Sequence, residues 1–171
     1  MDAHTCIRTK RDSRGYTGQG VAEETLQGIL QAGRMAGSSK NTQPWRFVVL
    51  REAQRKRELA SCGQFAQHVP GAPLVIAIVL APGGGAFDAG RAAQNMMLAA
   101  WEQGITSCPV AMHDREFAAR VLGLPDDHVV AIVITFGYPE SGRRPPVWAE
   151  QSRHRGVPRT PLADLVHYER W

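Results

Sequence analysis

The sequence predicts a mixed fold in which helices and strands share one buried core. Two apolar runs, at residues 74–80 and 129–138, have the length and β-branched composition of buried strands. The first is apolar at every position, so both faces of the sheet must be covered. Residues 88–103 are small and apolar nearly all round, which is typical of a central buried helix.

The other elements follow from local patterns along the chain. Apolar residues at helical spacing predict helices, and β-branched or aromatic runs predict strands. Asp88 is expected to cap the central helix and Gly104 to end it. The remaining expected elements are a helix at 21–34, a strand at 45–50, a charged helix at 52–66, a strand or extended stretch at 105–112, a short helix from an Asp114 cap to Leu122, and a final short helix opened by Thr160 and Pro161.

Composition limits the kinds of partner. The 171 residues favour one domain, and a net charge of +4 with a pI of about 9.3 suits an anionic ligand or a phosphate-bearing cofactor. The basic residues form no stripe with interleaved aromatics, so no nucleic-acid partner is expected. Three cysteines without metal-ligand spacing fit a reducing compartment and predict no metal site. With no secretory signal and no membrane-length apolar run, we expect a cytoplasmic protein.

A dense basic cluster lies near the N-terminus. Arg8, Lys10, Arg11 and Arg14 surround Asp12, and such charges need an anionic partner to offset their repulsion. Arginine binds phosphate in a planar, bidentate way, so a phosphate site is one interpretation. A solvated, frayed terminus is the other.

A second candidate is the loop before the first strand, with the sequence GSSKNTQPW at 37–45. Its small and polar residues expose backbone N–H groups and side-chain donors, which suit a flat, polar cofactor. The alternative is an ordinary helix-to-strand loop. Two other candidates are weaker. The glycines at 83–85 lack the spacing of a nucleotide-binding motif, and Cys108 has only His113 nearby in sequence to form a nucleophilic pair.

Several motifs in order resemble the FMN-dependent nitroreductase family. They are a basic segment ending in RGY, then GSSKNTQPWRFVV, FDAGRAAQNMMLAAWEQGI, LGLPDD, VITFGYP and a C-terminal PLADLVHYERW. The resemblance covers residues 7 to 171. It implies an α+β fold, in which helices flank both faces of a mainly antiparallel sheet, and an intertwined homodimer. Residues 1–171 would form one FMN-binding domain, with 139–171 as an arm that reaches the partner subunit.

The resemblance also implies a set of cofactor-binding residues. Lys10, Arg11 and Arg14 would bind the FMN phosphate, together with a late arginine for which Arg159 is the best match, ahead of Arg155. Asp12 stands where the family often has Ser, so it would meet a flavin ring N–H or a ribityl hydroxyl instead. From the partner subunit, the loop would contribute Ser38, Ser39, Asn41 and Gln43. The segment 109–112 would place its backbone N–H groups near the flavin N5 and O4, and Pro109, Ala111 and Met112 are its expected cofactor-binding residues.

The implied activity is hydride transfer from NADH or NADPH to a small organic oxidant such as a nitroaromatic, a quinone or a flavin. The chemistry belongs to the flavin, so no catalytic side chain is expected. Two alternatives stay open at this point. One is a non-catalytic flavin-binding or sensor protein, and the other is a divergent family reaction such as reductive dehalogenation or ene reduction.

Overall fold

Four antiparallel strands form the central sheet. The structure is a computed structural model that describes residues 1–140 and 159–171. Within them the strands are β1 (Trp45–Leu50), β2 (Leu74–Leu80), β3 (Thr106–Val110) and β4 (Val129–Gly137). The strand order is β1-β2-β4-β3, so β2 and β4 are central and β1 and β3 lie at the edges.

The described residues form five α-helices around the sheet: α1 (Ala3–Thr9), α2 (Glu23–Arg34), α3 (Ala53–Ser61), α4 (Ala86–Glu102) and α5 (Arg115–Leu122). Alternate residues of β2 enter different cores. Ile76 and Ile78 pack with α2 and α4 on one face. Val75 and Ala77 pack with α3 and α5 on the other. The sheet is therefore buried on both faces, which confirms the expectation from the sequence.

Several helix ends confirm the predicted capping. The Asp114 carboxylate accepts a hydrogen bond of 2.8 Å from the Phe117 N–H and so caps α5. Gly123 ends α5 in the left-handed conformation at φ +63°, and Gly104 follows α4 at φ +81°. Glycine adopts these dihedrals without the steric penalty of a Cβ, which is why the chain can turn sharply at both points.

Four local predictions are wrong. Helix α1 was not expected, because its seven residues are too few to show an amphipathic repeat; its N-cap is Asp2, whose carboxylate accepts from the Thr5 N–H at 3.0 Å. Helix α3 ends at Ser61, and turns carry the chain onward to β2. Asp88 lies in the first turn of α4, where its negative charge interacts favourably with the helix dipole, but the N-cap is Gly85.

The fourth concerns the C-terminus. A single 3-10 turn at Leu162–Asp164 follows Pro161, and Thr160 caps no helix there. Most of the expected irregular arm, residues 141–158, lies outside the described residues. No helix in the described parts of the chain is both long and apolar enough to span a bilayer.

Helices α2 and α4 approach closely at Gly33. A Cβ at this buried glycine would lie 2.8 Å from Met96 Cγ and 3.0 Å from Phe47 Cζ, which is too close for a carbon–carbon contact. Gly28 lies on the same helix with nothing within 4 Å of its added Cβ. The two glycines differ in packing although they share one helix.

We expect Gly28→Ala to raise the free energy of unfolding by about 0.5–1 kcal/mol, because Ala is the better helix former. Gly33→Ala carries the same propensity gain but overpacks the α2–α4 contact at a cost of about 1–3 kcal/mol. Urea denaturation of both variants measures the difference. Equal stabilisation by both substitutions would show that the contact at Gly33 relaxes freely.

Candidate functional site

The basic N-terminal segment, residues 8–14, lies beside β3 and extends the sheet. Asp12 forms a parallel bridge with Ser107, and the Ser13 N–H donates to the Ser107 carbonyl at 3.1 Å. The Thr106 hydroxyl donates to the Arg11 carbonyl at 3.2 Å. These bonds hold the segment against the sheet edge, so its charged side chains have defined positions and do not form a frayed terminus.

The charged side chains of this segment have different surroundings. Lys10 is only 11% exposed; its ammonium pairs with the Asp12 carboxylate and lies 3.5 Å from Met97 Sδ. Arg11 Nη1 donates to the carbonyls of Arg8 and Lys10 at 2.9 and 2.7 Å, which ties it to the end of α1. Arg14 is exposed. Lys10 therefore offsets the charge of Asp12, whereas the exposed Arg14 side chain is accessible to a ligand.

The stretch Pro109–Met112 continues from β3 into a turn. Pro109 is still in the ladder opposite Ile134, and the strand ends at Val110. Ala111 is exposed, whereas the Met112 side chain is buried in the α3–α5 core. The next two N–H groups, of His113 and Asp114, both donate to the Cys62 carbonyl at 2.8 and 3.0 Å. This turn fixes the backbone of Ala111 at the same sheet edge as the basic segment.

Buried polar atoms in this region include Ser107 Oγ and His68 Nε2, for which the described residues supply no hydrogen-bond partner. Ser107 is the bridge partner of Asp12, and burial together with the Arg14 charge lowers the pKa of His68. Unsatisfied buried polar groups are rare, and they suggest an additional polar partner such as a ligand or water. The donor set thus fits a polar, anionic group beside the basic segment.

His68 was not among the residues expected from the sequence. It lies in the turns between α3 and β2, where no periodic pattern marks it. Its proximity to Arg14, some fifty residues earlier in the chain, arises from the tertiary fold. An unpartnered buried nitrogen is the signal that identifies it, and that signal exists only in three dimensions.

The loop at 38–43 shows backbone strain. Lys40, Asn41 and Gln43 have positive φ values of 49°, 55° and 48°. The Ser38 hydroxyl accepts a hydrogen bond from the Gln43 N–H at 2.9 Å, which closes the loop. Left-handed conformations in non-glycine residues cost energy and cluster at functional sites. The loop therefore stays a candidate binding segment, and Ser39 near its start is exposed.

This loop and the basic segment lie at opposite corners of the sheet. The loop leads into Trp45, which pairs with Leu80 at the C-terminal end of β2. Ser107 pairs with Phe136, which pairs with Leu74 at the other end of β2. Four strand spacings and six residue steps separate Trp45 from Asp12, about 19 Å across and about 20 Å along the strands. Within one chain the two groups of predicted site residues do not meet.

The last two candidates are resolved differently. Arg159 is exposed at the start of the second described segment, and its expected phosphate contact stays a prediction.

Cys108 is 1% exposed, and burial raises the pKa of its thiol. His113 accepts a hydrogen bond from the Gln64 N–H through Nδ1 at 3.1 Å. Nothing in this arrangement supports an activated Cys108–His113 pair.

Comparisons with known proteins agree with this architecture. A provisionally named NADH dehydrogenase/NAD(P)H nitroreductase of Archaeoglobus fulgidus is 28% identical over 176 residues, which cover 96% of each chain. An FMN-dependent nitroreductase from Clostridium difficile superposes with a TM-score of 0.84 at 22% identity, over 98% of this chain and 99% of that one. An NADPH:FMN oxidoreductase from Vibrio harveyi, complexed with NAD⁺, gives a TM-score of 0.83 at 24% identity, covering 97% and 76% of the two chains.

The family assignment rests on a match along most of the described chain. The model of the nitroreductase family matches residues 7–80 and 68–138, which include the basic segment, the strained loop and all four strands. The resemblance noted in the sequence is thereby confirmed. The chain belongs to the nitroreductase family and is an oxidoreductase.

Proposed function

We propose that this protein is an FMN-dependent oxidoreductase that transfers hydride from NADH or NADPH to a small organic oxidant such as a nitroaromatic, a quinone or a flavin. The basic segment fixed against β3, beside unpartnered buried polar atoms, is the observation that carries the proposal. The relatives named as NADPH-flavin oxidoreductase and FMN-dependent nitroreductase support it at the level of the family.

Arg14 and Lys10 would bind the cofactor's phosphate. The Arg14 side chain is accessible, and the Lys10 side chain is sheltered. Ser107 and His68 offer the unsatisfied polar groups, and the backbone at Ala111 and Met112 would face the ring system. Bound FMN would supply the hydride-accepting centre. The protein's part is to bind and orient it, because no catalytic acid or base is required for hydride transfer.

The purified protein should therefore bind FMN and be reduced by a nicotinamide donor. We expect a yellow protein with one FMN per subunit and bleaching of the flavin absorbance on anaerobic addition of NADH or NADPH. Reoxidation by a nitroaromatic or a quinone would then show turnover. Binding of FMN without reduction by either nucleotide would instead establish a non-catalytic flavin protein. Failure to bind FMN at micromolar concentrations would refute the proposal.

Arg14→Ala should weaken FMN binding by about 1.5–3 kcal/mol, roughly tenfold to a hundredfold, because a charged hydrogen bond to phosphate is lost. Arg11→Ala should have a smaller effect, since Nη1 of Arg11 already bonds to backbone carbonyls. Arg57→Ala on α3 is the matched control, because its guanidinium bonds only to the exposed Gln54 among the described residues. Flavin fluorescence titration measures all three. Native affinity in the Arg14 variant would contradict the assignment of the segment.

Completion of the site requires a second copy of the chain. The strained loop and the basic segment lie at opposite corners of one sheet, so a loop that contacts the cofactor must come from a partner. We therefore propose a homodimer with the cofactor between subunits. The large apolar side chains Met35 and Phe87, which are 66% and 78% exposed near the loop, provide surface for such an interface.

The C-terminal segment also needs a partner surface. Its apolar side chains are exposed, Trp171 completely and Leu162 to 75%. No described strand pairs with the outer edge of β1, and a groove of about 650 Å³ runs beside it between α2 and Val121–Gly123. We propose that residues 139–171 form an arm that crosses to the partner and covers its β1 edge, since open edges are normally protected.

Deletion of residues 140–171 should weaken both the dimer and FMN binding, because interface and site are shared. A milder test is Leu162→Ser with Leu165→Ser, which removes apolar contact without shortening the chain. Arg170→Ser serves as the control on the same segment. Sedimentation velocity with absorbance at the flavin wavelength reports assembly and cofactor together. A truncated protein that stays dimeric and fully loaded would show that the arm is dispensable.

A further inference from the structure

Two buried side-chain hydrogen bonds hold the basic segment, one at each end. At the start, the Trp101 indole N–H on α4 donates to the Thr9 hydroxyl at 2.9 Å, immediately before Lys10. At the end, the Tyr16 hydroxyl lies 2.6 Å from Thr135 Oγ1 on β4. Segment 10–15 spans the two attachment points. Its conformation therefore depends on bonds outside the charged residues themselves.

The Tyr16 end connects three separate parts of the chain. The Tyr16 hydroxyl also lies 2.6 Å from the Ser13 carbonyl, and the Thr135 hydroxyl lies 3.1 Å from the Cys108 carbonyl on β3. Two hydroxyl protons serve three contacts, so two of the three hydrogen bonds can form at one time. Burial raises the pKa of Tyr16 far above its usual range, so its phenol stays protonated and available as a donor.

The linked hydroxyls of Tyr16 and Thr135, which we call the Tyr16–Thr135 relay, fix the backbone on both sides of Ser13. The Ser13 N–H is bound by the Ser107 carbonyl, and its own carbonyl lies on the Tyr16 hydroxyl. Arg14 follows directly, and the chain then turns at Gly15, where a Cβ would lie 2.7 Å from a Glu140 carboxylate oxygen. Without the relay, the Ser13 N–H would keep its bond to Ser107 and the Ser13 hydroxyl its bond to the Gly15 carbonyl at 3.2 Å, but the Ser13 carbonyl beside Arg14 would lose its partner on the sheet.

The Tyr16 ring has little room to adjust. Its Cδ1 atom would lie 2.8 Å from a Cβ added to Gly137 of β4, and the residue is 8% exposed. The Thr17 N–H donates to the Tyr138 carbonyl at 2.8 Å and holds the next residue to the end of the same strand. The hydroxyl thus has a defined position relative to β4, which is the rigid centre of the sheet.

We propose that the Tyr16–Thr135 relay is a positioning device that fixes the backbone at Ser13 and so presents Arg14 in the geometry needed to bind the cofactor's phosphate. The proposal rests on the proposed FMN function. Neither hydroxyl touches the phosphate in this scheme. Their effect is to remove the ordering cost that a free segment would have to meet on binding, so they act through Arg14.

A comparison of FMN with riboflavin tests this idea, because the two ligands differ only in the phosphate. The ratio of the riboflavin dissociation constant to the FMN dissociation constant, measured in the dimeric protein, gives the contribution of the phosphate. Tyr16→Phe removes one hydroxyl and leaves the ring in place, and Thr135→Val replaces the other with a side chain of similar shape. We expect each to lower the ratio roughly threefold to tenfold, the value of one hydrogen bond.

The double variant should lose no more than either single one, because both changes break the same relay. Thr135→Ser keeps the hydroxyl and should keep the wild-type ratio. Ile29→Val, a core substitution on α2, is the control: it should lower the melting temperature while the ratio is unchanged.

The outcomes separate this inference from the function on which it rests. A wild-type protein that does not distinguish FMN from riboflavin would refute phosphate binding by the segment. A wild-type protein that distinguishes them, with Tyr16→Phe and Thr135→Val both at the wild-type ratio, would overturn the positioning role alone. Equal weakening of FMN and riboflavin in the variants would overturn it too, since that pattern reflects general destabilisation.

Discussion

The complete burial of β2 is the constraint on which the rest of the structure depends. All seven of its residues are buried, and its alternate side chains form the centres of two cores on opposite faces of the sheet. With both faces covered by helices, no ligand can lie on the middle of this sheet. Polar function is therefore confined to the edges and ends, where strands β1 and β3 and their flanking loops meet solvent.

The two edges have different uses. At β3, segment 10–14 adds its backbone to the sheet, so its basic side chains are carried by bonds to a rigid strand. At β1 the described chain leaves the outer edge unpaired, although an open edge favours association with another chain. One edge thus holds half of a candidate site, and the other offers a place for a second copy.

The sequence predicted best where local pattern and burial agree. Strand β2 begins and ends where its apolar run does, because burial on both faces leaves little tolerance for polar residues. Strand β1 also has the predicted bounds, although Arg46 and Val49 are exposed on this edge strand. Helix α1 was missed because its buried residues, Cys6 and Thr9, stand among charges, and its docking on Trp101 is a long-range contact. His68 was missed for a similar reason: its partner in space is Arg14.

The same distinction explains why the candidate site could be predicted only in parts. Lys10 and Arg14 were recognisable as charges, but the sheet edge that carries them became apparent only with Ser107 and the strand pairing. The loop from Ser38 to Gln43 was recognisable by its donors, whereas its positive φ values and its distant corner required the fold. The proposed homodimer would bring the strained loop of one subunit to the basic segment of the other, which a single chain keeps at opposite corners of its sheet. The same proposal would give the open outer edge of β1 and the exposed apolar side chains of the C-terminal segment a partner surface, so one assembly would account for three separate features of the described chain.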